Sequence, residues 1–109
     1  MAIEPTCEGL PVYPGAAEVH HRTVSLRGGG GGVDWEYATA DPPDRVVAFY
    51  ERHFGPPDTA AVPGKWRWLF SEPRDDWDST RLIVVGPRAA GAEGTSIYIG
   101  RRDAPRQPG

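Results

Sequence analysis

At 109 residues the chain holds one hydrophobic core and no more. A formal net charge of -3 without any basic run offers little to a phosphate backbone, and one cysteine rules out an internal disulfide framework. No window is apolar enough to span a bilayer, so nucleic-acid binding, a stapled secreted scaffold and a membrane span are set aside.

Met1 to Ala17 carries Pro5, Gly9, Pro11, Pro14 and Gly15 and reads as an extended segment over 1–17. Pro14-Gly15 fits the centre of a type II turn, and Leu10, Val12 and Tyr13 can pack onto the domain. Met1 to Thr6 contains Glu4 and Pro5 and no apolar run. As written the chain reads as cytoplasmic, or as exported or lipoprotein-derived if Met1 is not the native start. Val19 to Arg27 and Val33 to Thr39 read as two strands joined by Gly28 to Gly32, a hairpin tip. Those glycines do not form a phosphate loop, because a strand follows them where a helix N-terminus and a Gly-Lys-Ser/Thr ending are needed.

Asp41-Pro42-Pro43-Asp44 is the strongest local signal. It predicts a helix capped by Asp41, with Pro42 at the first helical position and Gly55-Pro56 ending it after Phe54. Val46, Val47, Phe49, Tyr50, His53 and Phe54 recur at spacings of three and four, which demands one broad buried face. Lys65 to Ser71 then alternates Trp66, Trp68 and Phe70 against Arg67 and Leu69. Thr80 to Val85 and Thr95 to Arg101 read as a hairpin about the small-residue loop Gly86 to Gly94.

The expected fold is α+β: an antiparallel sheet of about five strands with one helix on one face, in the order β-β-α-β-β-β over residues 18–102. Residues 103–109 are expected to be a disordered tail. One helix covers one face, the face of Trp35, Tyr37, Trp66, Trp68 and Phe70. The other face shows Leu69, Ile83 or Leu82, Val85 or Val84, and Tyr98. Something apolar is left over, and its cover is expected to be the N-terminal segment or a second copy of the chain.

Several groups of residues resemble a pattern in small uncharacterised bacterial proteins, some of them lipoproteins. They are Leu10 to Ala16 (Leu-Pro-Val-Tyr-Pro-Gly-Ala), Tyr37 to Pro43, Val46 to Tyr50 and Lys65-Trp66. The resemblance covers roughly half the chain in short motifs. It implies a small α+β domain, often exported, and carries no activity or catalytic residue.

The candidate chemistry is sparse. Trp35, Tyr37, Trp66 and Trp68 are the candidate ligand-binding set, since aromatics on neighbouring strands can line an apolar cleft, although filling the core is the heavier demand on them. Leu69, Ile83, Val85 and Tyr98 are the candidate interaction face. His20 and His21 point to opposite sides of a strand, so only one can approach His53, and no metal site is expected. Cys7 lies in a proline-rich stretch that holds geometry poorly, so it is not expected to act as a nucleophile. Glu72 to Asp78 is rich in carboxylates but lacks the ligand spacing of a calcium loop, and reads as a solvated connection. No cofactor or catalytic residue is assigned. The expected function is a non-enzymatic binding or protein-interaction module, acting as a homodimer or on a protein partner. The alternative is a small hydrolase or isomerase pairing His21 or His53 with Asp34 or Glu36.

Overall fold

The proline pair does start a helix, one residue later than expected. In the computed structural model, which describes residues 6–26, 29–74, 76–88 and 93–105, α1 spans Pro43–Phe54 with Pro42 at the N-cap and no side-chain cap. Asp41 is drawn away from the capping role because its carboxylate accepts the Tyr13 hydroxyl, while its carbonyl accepts Thr95 Oγ1 at 2.7 Å. Gly55 ends the helix at φ 83°, donating its N–H to Glu51. Asp44 in the first turn and Arg52 and His53 in the last match the helix dipole.

The strands are β1 (Thr6–Cys7), β2 (Leu10–Pro11), β3 (Ala17–Ser25), β4 (Gly31–Thr39), β5 (Trp66–Arg74), β6 (Trp77–Pro87) and β7 (Thr95–Pro105). The fold is therefore mixed and strand-dominated. An antiparallel sheet of five strands, in the spatial order β3-β4-β7-β6-β5, stands beside one helix and a two-stranded β1-β2 sheet. The two short strands come before the expected β-β-α-β-β-β run. α1 carries the chain from β4, in the interior of the sheet, to the far edge at β5, and β6 and β7 fill the gap between them.

Three boundaries differ from expectation. β7 continues through Pro105, paired with Trp77, so Asp103–Pro105 belong to the sheet. Glu72 and Pro73 pair with Ser79 and Asp78, which makes most of the acidic connection a strand extension and leaves a tight turn around Asp76. Gly31 and Gly32 join β4. Gly28 of the predicted glycine tip, Arg27 at the predicted end of the strand before it, Asp75, residues 89–92 of the predicted 86–94 loop, and residues 106–109 lie outside the described residues.

Register assigns the faces. Trp35, Ile99, Ile83 and Trp68 stand opposite one another across four strands, and so do Tyr37, Ile97, Val85 and Trp66. Directly opposed residues project to the same side, so these two rungs form one apolar face. α1 lies on it through Val46, Val47, Phe49 and Tyr50, with Tyr50 5.6 Å from Trp68 and Phe54 4.7 Å from Phe70 between ring centres. The N-terminal segment packs on this face too, beside the helix, with Cys7, Leu10 and Val12 buried in the core. Tyr50 donates its hydroxyl to the Pro11 carbonyl at 2.9 Å, and the Tyr13 ring meets Phe49 edge-on at 5.4 Å. A turn at Pro14-Gly15, closed by Ala16 N–H to the Tyr13 carbonyl and with Gly15 at φ 86°, then leads into β3. The segment therefore does not cover the opposite face, as one of the two expectations had it.

Ile83 sits at the centre of this core with no exposed surface. Ile83→Ala should lower unfolding free energy by about 2–5 kcal/mol in urea titrations, through lost burial and a cavity. Leu69→Ala, on the exposed face, should change it by less than about 1 kcal/mol.

Candidate functional site

The four aromatics singled out in the sequence do come together, as filling. Trp68 is buried, with its indole N–H donating to the Gly55 carbonyl at 2.9 Å, and Trp35, Tyr37 and Trp66 pack partly buried against the same core. Trp35 donates to a Glu8 carboxylate oxygen at 3.3 Å. The Tyr37 hydroxyl is hydrogen-bonded with the Cys7 sulfur, and burial pushes the pKa of both groups up. Trp68 also borders a groove of about 370 Å³ with Phe54 and Phe70.

The His-carboxylate alternative is divided by the sheet itself. His21 faces the helix side, stacked on Trp35 at 4.7 Å, and its nearest carboxylate is that of exposed Glu18 at 3.7 Å, beyond hydrogen-bond reach. His53 rides on α1 against Phe49 on that same side. Asp34 and Glu36 project from β4 in the other direction, since Trp35 and Tyr37 point inward. None of the four proposed pairs shares a face. Among the described residues no three His, Cys, Asp or Glu side chains group as metal ligands, and no helix is long and apolar enough to cross a membrane.

The far face of the sheet carries Leu69, Leu82, Val84 and Tyr98, with Leu69 52% exposed. Ile83 and Val85, expected on this face, lie instead in the core; Leu82 and Val84 take their places. β6 holds four consecutive apolar residues, Leu82 to Val85, so alternation alone does not say which pair faces inward. Pairing of Ile83 with Ile99 and of Val85 with Ile97 settles it. Leu82, Val84 and Tyr98 on this far face are half-buried.

Beside the apolar strip is a charged cluster that the sequence reading missed. Asp34, only 6% exposed, accepts from Arg102 Nη1 at 2.8 Å, from Arg22 Nε at 3.1 Å and from the Tyr98 hydroxyl. Room for this convergence comes from Gly100, where an added Cβ would strike the Tyr98 hydroxyl and ring. The Asp-Tyr-Arg-Arg set spans three strands, so no sequence spacing links its members. The Arg102 guanidinium above all, then Tyr98 and Arg22, outweigh burial and hold Asp34 down at about 2 from an ordinary 3.8. Each carboxylate oxygen of Asp34 meets at least one donor and the group is held ionised, so the cluster reads as a clamp across β3, β4 and β7.

A second feature lies on the helix side, past the end of the apolar cover. A cavity of about 610 Å³ opens there, floored by Arg81, Arg101, Ser79 and Asp103 and walled by Glu8 and Trp77. No protein-family model, curated protein or solved structure matches the chain, so function is argued from this geometry alone.

Two outcomes follow from the ionisations. A folded Asp34 held below its unfolded value contributes stability above about pH 4 that is lost as pH falls through about 2. The stability gap between wild type and Asp34→Asn in urea should therefore narrow by about 2 kcal/mol over that window. Cys7 is buried with a raised thiol pKa, so an aromatic disulfide reagent should label it only at the rate of unfolding, and at once in denaturant.

Proposed function

We propose that the chain is a non-enzymatic interaction module whose working surface is the open sheet face, and that the face closes against a second copy of the same face. The carrying observation is the apolar strip of Leu69, Leu82, Val84 and Tyr98 on the face turned away from the α1 side, with Leu69 exposed and the other three half-buried. Charged groups of both signs rim the strip, with Arg67–Asp58 at 2.9 Å on one side and the Asp34 cluster on the other. That is the plan of a protein interface: an apolar centre within a polar border.

Area supports a self-contact. Five strands at about 4.8 Å spacing and about 3.3 Å per residue make a whole face, charged border included, of roughly 700 Å², on the scale of the ~800 Å² that each partner contributes to a standard stable interface. One surface meeting its own copy about a two-fold axis is also the commonest route to a closed assembly. The edges favour face-to-face association over edge pairing. β3 carries a bulge between Glu18 and His20, and β5 contains Pro73 and is bridged by Asp58 to Arg67, which blunts both free edges.

Sedimentation at micromolar concentration should give a dimer for the wild type. Val84→Glu should weaken it by about a hundredfold, by burying an unpaired carboxylate, and leave a folded monomer. A wild type that sediments as a monomer, identical to the variant, would overturn the reading.

A further inference from the structure

The helix-side face changes character halfway along its strands. Next to the Ile83–Ile99 rung comes Arg81 opposite Arg101, and beyond it Ser79 opposite Asp103. Two guanidiniums facing each other on adjacent strands repel. The β1-β2 turn answers this with Glu8, held at φ 53°, the only non-glycine residue with positive φ among the described residues. Its carboxylate pairs with Arg101, and its backbone carbonyl accepts from Arg81 Nη1 at 3.0 Å. Asp103 Oδ2 lies 3.0 Å from Arg101 Nε, and Glu72 lies 3.9 Å from Arg81 Nη2.

The floor thus sets two guanidiniums against three carboxylates before any ligand arrives, and each carboxylate has an arginine within 4 Å. A phosphate or carboxylate ligand would meet more negative charge than positive. An apolar ligand would strip water from five charged groups and return no hydrogen bonds. A cation gains little where each carboxylate already has an arginine beside it. What fits is a neutral molecule dense in hydroxyls, because each hydroxyl both donates to a carboxylate and accepts from a guanidinium or from Ser79. Trp77 supplies the remaining part. Its indole forms the cavity wall and is 45% exposed, outside the core that absorbs Trp35, Trp66 and Trp68. A flat apolar ring at the rim of a polar floor suits the C–H face of a pyranose. The volume lies within the range of small-ligand sites.

We propose that this groove binds a neutral saccharide, with Trp77 as the stacking platform and Arg81, Arg101, Ser79 and Asp103 as hydroxyl partners. The site is on the opposite side of the sheet from the proposed dimer face, so either can fail without the other.

The 109-residue chain, labelled with nitrogen-15, is titrated with neutral oligosaccharides of glucose, galactose, mannose and N-acetylglucosamine, with glucuronate, glucose 6-phosphate and arginine methyl ester alongside. At least one neutral sugar should shift the amides of Ser79, Arg81, Arg101 and Asp103 at millimolar concentration. Trp77→Ala should weaken that binding about tenfold with an unchanged melting temperature, and Trp77→Phe should restore most of it. The proposal is overturned if no neutral sugar shifts these amides, if Trp77→Ala binds as well as wild type, or if an acidic sugar or the arginine ester binds the groove more tightly.

Discussion

A helix is about 10–12 Å across, whereas five strands separated by about 4.8 Å make a sheet close to twice that width. A single helix therefore cannot shield one face of this sheet. α1 shields the side nearer β5 and β6, through Tyr50 on Trp68 and Phe54 on Phe70. The rest is shielded by residues 6–13, whose Cys7, Leu10 and Val12 enter the same core. That geometric shortfall explains why a proline-rich stretch with only two short strands of its own is held inside the fold. Having been drawn to the helix side, it is not available to the other.

The N-terminal stretch is held mostly by side chains, because its own ladder is two residue pairs long. Tyr13 reaches Asp41, Tyr50 reaches the Pro11 carbonyl, and Glu8 takes Trp35, Arg101 and Arg81 together. Asp41 is the junction of this arrangement. It joins the segment to the helix start through its carboxylate and to the buried start of β7 through its carbonyl and Thr95. A residue with those two obligations is not free to cap the helix, so the N-cap shifts to Pro42, whose carbonyl accepts from Arg45 and Val46. The missing side-chain cap is offset by tertiary hydrogen bonds.

Local signals in the sequence were read well where they are local in physics. Prolines ahead of a 3.6-residue apolar period, with Gly55 after it, identify α1 to within a residue, and alternating Trp66, Trp68 and Phe70 identifies a one-sided strand. Parity in β6 was illegible, since Leu82 to Val85 offers two apolar pairs of equal merit and only the partner strand chooses between them. The acidic stretch Glu72 to Asp78 resembled a loop because charge and Pro73 outweigh β propensity there. It is strand because β5 and β6 simply continue their ladder toward a tight turn. The Asp34 clamp and the Glu8 junction join residues 12 to 93 positions apart and leave no periodic trace.

The position of the polar groove follows from the same shortage of cover. β6 and β7 are 11 residues each, about 36 Å at 3.3 Å per residue, and α1 is 12 residues, about 18 Å at 1.5 Å per residue. Strands that outrun their shield must change composition along one face, and these change at a single rung, from Ile83 and Ile99 to Arg81 and Arg101. Long aliphatic stems let arginine continue the packing at such a margin while its head remains polar, and the Arg81 guanidinium lies 6.0 Å from the Phe70 ring centre in that manner. Trp77 stands beyond this margin, opposite Pro105 of β7. The indole there is 45% exposed and borders the groove, so it offers the flat surface that the saccharide proposal uses.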